Sequence, residues 1–142
     1  MWLTYFKHPK NHRYEGWSVG EIAENTGQNP VDVVCDLLLE EDLQTSYVTP
    51  GPNGATLPDF VKHPLSMVGS DAVLLGDFPS PRTYGTFPVI LGEYVREERL
   101  MSLPSAIRKM TSFPAQRLGL SGRGLLRDGF KADIVVFDPD MV

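Results

Sequence analysis

The sequence predicts an α/β fold, on three observations. Capped helices alternate with short strands as far as Asp71, the pattern of a parallel sheet with crossover helices. Beyond Asp71 the chain turns helical, and a β-branched run, Asp133-Ile134-Val135-Val136-Phe137-Asp138, then reads as a strand of a separate sheet. Only two parallel-strand candidates are visible, and two strands cannot bury both faces of a sheet. The pattern therefore reads as the end of a larger fold.

Each element has a local cause. Ser18 and Glu21 have the spacing of a capping box, so a helix starts there, and Gly27 supplies its left-handed stop. Asn29 caps a second helix with Pro30 in its first turn and Asp32 on the positive dipole end. Val31, Val34, Cys35 and Leu38 share one face of it, with Val33 and Leu37 beside them, and it is expected to run to Leu43. Gln44 to Thr49 reads as a strand closed by Pro50-Gly51-Pro52-Asn53-Gly54. A short helix over Leu57–Lys62 precedes a strand over Pro64–Asp71 that runs into a polar end. Pro79 and Pro81 make Gly76 to Arg82 a loop. Apolar spacing at Phe87, Ile90, Leu91 and Tyr94 predicts a helix over Phe87–Glu98. Ser102 caps a helix over Leu103–Met110, and Ser112 and Pro114 open a further turn that ends at Gly119. Asp128-Gly129 is a turn before the last strand.

Composition excludes several function classes. With 42% apolar and 22% charged residues the chain is too apolar for disorder. A net charge of −5 over 142 residues argues against a nucleic-acid surface. No apolar run approaches the ~18 residues that cross a bilayer, and no basic stretch precedes an apolar one at the N-terminus. A soluble cytoplasmic protein is the expectation. The single cysteine, Cys35, excludes an internal disulfide framework and a thiolate metal cage; its helix face makes it a small core hydrophobe. Acids crowd Glu15 to Asp59 and bases Arg82 to Lys131, blocks that read as solvated faces or as partners of one another. His8 and His12 are four apart, but Pro9 between them argues against a helical zinc pair, and His63 sits at the wrong end of its strand for a ligand.

Six motifs occur in order: His63-Pro64-Leu65-Ser66-Met67-Val68-Gly69-Ser70-Asp71, Pro81-Arg82-Thr83-Tyr84-Gly85-Thr86-Phe87-Pro88, Ala106-Ile107-Arg108-Lys109-Met110-Thr111, Pro114-Ala115-Gln116-Arg117-Leu118-Gly119-Leu120, Gly122-Arg123-Gly124 and Ala132-Asp133-Ile134-Val135-Val136-Phe137-Asp138-Pro139. With Tyr14-Glu15-Gly16-Trp17-Ser18 and Glu21-Ile22-Ala23 upstream, they resemble the C-terminal part of the N-acyl-D-amino-acid deacylases (D-aminoacylases) of the amidohydrolase superfamily. The resemblance implies the last strands and helices of a metal-dependent (β/α)₈ barrel over residues 1–120, and the start of a C-terminal β-sandwich segment over residues 121–142. Gln44–Thr49 becomes the seventh barrel strand and Ser66–Asp71 the eighth.

The same resemblance implies zinc-dependent hydrolysis of the amide bond of N-acyl-D-amino acids. Asp71 matches the family's catalytic Asp, a proton carrier and a zinc ligand at the mouth of a barrel strand. The plain alternative is a turn or cap residue. Arg82 matches an Arg that meets the substrate carboxylate; the plain alternative is an exposed loop Arg. Ala72 after the Asp, and Gly76-Asp77-Phe78-Pro79-Ser80 without a His, depart from the family pattern and leave substrate preference open. The other zinc ligands are absent, and a catalytic zinc takes about three protein ligands. A hydrolase portion that is inactive alone and binds no zinc tightly is the expectation, prone to self-association or to pairing with the missing barrel half. The competing readings are a non-catalytic module that completes a partner barrel chain, and an independent small enzyme for which no nucleophile–base set can be named.

Overall fold

A computed structural model describes residues 1–49 and 51–142. Pro50, the first residue of the expected turn after the seventh strand, lies outside the described residues. Two compact units form, one from Met1–Gly51 with Ala72–Thr83, the other from Pro52–Asp71 with Tyr84–Val142.

The first unit is built on an antiparallel pair, β1 (Trp2–Phe6) with β2 (Thr45–Val48), in register Leu3 to Tyr47 and Phe6 to Thr45 with a bulge between Leu3 and Tyr5. The expected strand at Gln44–Thr49 is present, but its partner runs antiparallel and not parallel. The aromatic and apolar side chains of β1 bring a strand to the β2 edge that the alternation of helix and strand did not announce. A 3₁₀ turn over Pro9–Tyr14 leads to α1 (Val19–Thr26), where Ser18 and Glu21 close the capping box and Gly27 takes φ 69°. In α2 (Pro30–Glu40) the Asn29 side chain accepts from the Val31 amide at 2.9 Å. Its buried face is Val33 and Leu37, packed with Leu3, Phe6, Tyr14 and Ile22. The expected inward face is corrected: Val31 is 68% exposed and Cys35 lies at the surface. Burial selected the i, i+4 pair that meets β1 and α1 out of a helix that is apolar on most sides. The helix stops three residues before Leu43, because Asp42 and Leu43 take left-handed φ values of 51° and 62°. Glu41 there is fully buried and accepts from the His8 amide at 2.8 Å and the Asn11 side chain at 2.6 Å.

The second unit opens with a 3₁₀ turn at Pro52–Ala55 and α3 (Leu57–Lys62). The strand expected over Ser66–Asp71 does not form, and neither does the one over Asp133–Asp138. Among the described residues neither run has a neighbouring strand, so no ladder holds them; Val135 and Val136 are 82% and 93% exposed. Helix α4 (Arg82–Val89), whose first two residues belong to the first unit, starts five residues earlier than Phe87, with the Thr83 amide donating to the Ser80 carbonyl at 2.8 Å. It continues as a π-helical segment, Ile90–Glu97. The widening follows Pro88, which has no N–H to give to the turn before it and crowds that turn's carbonyl. Helices α5 (Leu103–Met110) and α6 (Ser112–Arg117) follow as expected, and Ile90, Leu91, Tyr94 and Ala106 form the core of this unit. Among the described residues no helix is long and apolar enough to cross a membrane.

Candidate active site

Asp71 ends an extended segment that α5 holds in place. Lys109, only 4% exposed, donates from its ammonium to the Ser66 hydroxyl at 2.7 Å, to the Ser66 carbonyl at 3.2 Å, and to the His63 carbonyl. The Lys109 carbonyl in turn accepts from the Val68 amide at 3.2 Å. Burial, with the neighbouring Arg108 charge second, holds the Lys109 pKa below the ordinary lysine value. Three residues beyond Val68, Asp71 takes a left-handed φ of 48° and is solvent-exposed. Asp tolerates this region better than most residues, since its short polar side chain can bond locally.

Arg82 lies in the other unit, at the first residue of α4. It lines a cleft of about 330 Å³ together with Thr4, Ser46, Thr49, Val73 and Ser80. β1 and β2 supply one wall, and the loop after Asp71 supplies the other. A guanidinium beside several hydroxyl-bearing residues suits a small planar anion, which accepts two parallel hydrogen bonds from Arg and further ones from hydroxyls.

The histidines are engaged locally. His12 Nε2 lies 3.0 Å from the Phe6 carbonyl oxygen, His63 Nδ1 accepts from the Leu65 amide at 3.3 Å, and His8 lies 3.9 Å from the Asp42 carboxylate. Among the described residues, no group of three or more His, Cys, Asp or Glu side chains could hold a metal ion.

Two residues near the site carried no role in the sequence reading. Lys109 falls three residues after Ala106, inside the apolar face of α5, and a lysine in that register was the available signal of burial. Glu15 is buried at the loop that leads to Arg82, and a lone acid between Tyr14 and Gly16 gives no such signal.

An amidohydrolase family model matches residues 4–142, a span that includes both Asp71 and Arg82. The chain is 40% identical over 129 residues to an N-acyl-D-aspartate deacylase of Alcaligenes xylosoxydans xylosoxydans, covering 87% of this chain and 26% of that protein. It is 36% identical over 135 residues to a D-aminoacylase of the same organism, covering 89% of this chain and 25% of the relative. The solved structure of the N-acyl-D-glutamate deacylase of Bordetella bronchiseptica, complexed with zinc and a phosphonate inhibitor that mimics the tetrahedral intermediate, superposes with a TM-score of 0.79 at 33% identity, over 98% of this chain and 28% of that one. The chain thus spans about a quarter of the length of the relatives it matches.

Proposed function

The chain belongs to the amidohydrolase family, and from that membership we propose that it is the C-terminal portion of an N-acyl-D-amino-acid deacylase. Residues 1–120 supply the last strands and helices of a (β/α)₈ barrel, and residues 121–142 begin the β-sandwich segment. The observation that carries the proposal is the likeness to N-acyl-D-aspartate deacylase and D-aminoacylase over nearly the whole chain. The complete enzyme carries zinc, and Asp71 is the ligand this chain contributes; the other ligands lie outside these residues.

The reaction is amide hydrolysis. Water adds to the acyl carbon, the C–N bond breaks, and a carboxylate and a free D-amino acid leave. Asp71 takes the proton of the attacking water and returns it to the departing nitrogen, so one carboxylate serves both halves of the reaction. Arg82 holds the α-carboxylate of the substrate in its cleft with paired hydrogen bonds. A second reading, a non-catalytic module that completes a partner barrel chain, draws on the exposed apolar run at Ile134–Val136.

The test is complementation. The chain is co-produced with an Alcaligenes N-acyl-D-aspartate deacylase truncated before the matching C-terminal quarter, and amine release from N-acyl-D-amino acids is followed. Restored turnover supports the deacylase reading. A folded, zinc-loaded complex without turnover on any N-acyl-D-amino acid overturns it in favour of the module.

A further inference from the structure

Glu15 is 6% exposed, and its carboxylate Oε2 accepts the Asp77 amide at 2.7 Å, across 62 positions of sequence. The base from which it acts is itself fixed. The Gly16 amide donates to the Leu3 carbonyl at 2.7 Å, and the Leu3 amide donates to the Trp17 carbonyl at 2.8 Å, so Glu15 stands on a segment bonded to β1. The loop it holds approaches closely. Gly76 takes φ 70°, and a Cβ there would run into the Thr4 carbonyl oxygen and lie 3.2 Å from both Glu15 carboxylate oxygens. One residue beyond Asp77, the Phe78 ring lies over Gly16, where a Cβ would meet ring atoms at 3.1 Å.

Between this anchor and Arg82 lie Phe78, Pro79, Ser80 and Pro81. Each proline fixes one φ, which narrows the torsional freedom between the anchored Asp77 and the first residue of α4. The Thr83 amide bonded to the Ser80 carbonyl then sets the direction in which the helix starts. Where Asp77 sits therefore decides where Arg82 enters its cleft.

We infer that Glu15 is a positioning residue for Arg82: its carboxylate seats the loop after Asp71 on β1 and so sets the carboxylate-reading guanidinium at the cleft. The inference rests on the proposed role of Arg82. It also gives the Tyr14-Glu15-Gly16 motif a task, far in sequence from the residue it serves.

The experiment uses the complemented enzyme and two substrates, an N-acyl-D-amino acid and its uncharged α-amide. Glu15→Ala is expected to raise KM about tenfold for the carboxylate substrate, the scale of one charge-assisted hydrogen bond, and to change the amide less than about twofold. Glu15→Gln keeps an oxygen that accepts from Asp77 and is expected to restore most of the discrimination. Phe78→Ala removes the second anchor at a residue that is 55% exposed and so leaves folding intact; it is expected to act in the same direction. Hydrogen exchange at the Asp77 amide should quicken in Glu15→Ala. If Arg82→Met separates the two substrates but neither Glu15→Ala nor Phe78→Ala does, the inference is overturned while the reading of Arg82 stands. If Arg82→Met fails to separate them, the reading of Arg82 falls and this inference falls with it.

Discussion

Lys109 and Ser66 are joined at 2.7 Å, ammonium to hydroxyl, in the interior of the second unit. Ser66 passes the link on, donating to the Val61 carbonyl at 2.9 Å, so α3, the segment leading to Asp71 and α5 meet at one buried cation. That cation does for the segment what a neighbouring strand does in a sheet: it gives part-buried carbonyls a donor.

Lys109→Met should therefore destabilise the chain by about 2–3 kcal/mol, because it strands buried acceptors; urea denaturation reads the change. The pH dependence has a definite sign. The folded pKa lies below 10.5, so in the window between that lowered value and 10.5 the unfolded chain binds more protons than the folded one. This residue's contribution makes stability rise with pH across that window. The stability of the parent relative to Lys109→Met should grow as pH climbs toward 10.5, and a difference that shrinks would contradict the assignment.

At the start of α1 the Ser18 hydroxyl accepts the Glu21 amide at 3.2 Å, and the Glu21 carboxylate accepts the Ser18 amide at 2.7 Å. Ser18→Ala should cost about 1 kcal/mol, the ordinary worth of an N-cap. Ser18→Asp should keep nearly all of it, as thermal unfolding of the three proteins would show.

What the sequence made legible follows the range of the forces involved. The capping box at Ser18 and Glu21, the Asn29 cap and the helix over Leu103–Met110 are decided within a turn of chain, and they stand where the spacing puts them. Strands need partners. Ser66–Asp71 and Asp133–Asp138 have the right residue types, but no neighbour among the described residues offers them a ladder. The inward face of α2 was misjudged for a related reason: Val31, Val34, Cys35 and Leu38 are as apolar as Val33 and Leu37, and only packing against Ile22 and Phe6 selects between them. Asp71 and Arg82 are singled out by ordered motifs, and their roles stand as proposals for the kinetic tests below. The supports of Glu15 and Lys109 were not legible, because each acts on backbone groups far away in sequence, and a backbone amide or carbonyl carries no residue signature.

Unpaired apolar runs have a consequence for assembly. Leu126, Val135 and Val136 are 83%, 82% and 93% exposed, and exposed apolar residues of this kind favour association with other chains. The isolated 142-residue chain should self-associate at micromolar concentration, detectable by light scattering. Val135→Lys with Val136→Lys should shift the distribution toward monomer. A monodisperse monomer from the unmodified chain would contradict this expectation.

The chain by itself, with zinc added, should not release amine from N-acyl-D-amino acids above the buffer rate. Among its described residues no metal-holding cluster exists, and a lone carboxylate does not replace a set of about three ligands. Turnover that persists through repurification and disappears on chelation would refute this.

The roles proposed for Asp71 and Arg82 predict different kinetic signatures in the complemented enzyme. Asp71→Asn keeps the shape of the side chain and removes its basicity, so the attacking water loses its proton acceptor and the leaving nitrogen its donor. General acid–base groups contribute about 10²–10⁴-fold, and a group that serves both attack and departure belongs at the top of that range. The loss should fall on kcat, with the fold retained, because the Asp71 side chain is solvent-exposed. Arg82→Met should instead raise KM, by roughly ten- to hundredfold, on the scale of a charged hydrogen-bonded pair. That loss should be confined to substrates with a free α-carboxylate, since an α-amide offers no anion for the guanidinium to hold. Retention of more than about a tenth of kcat by Asp71→Asn, far outside the range for such a group, would remove Asp71 as the proton carrier. Equal losses on both substrates in Arg82→Met would mean that Arg82 supports the start of α4 and does not read the carboxylate.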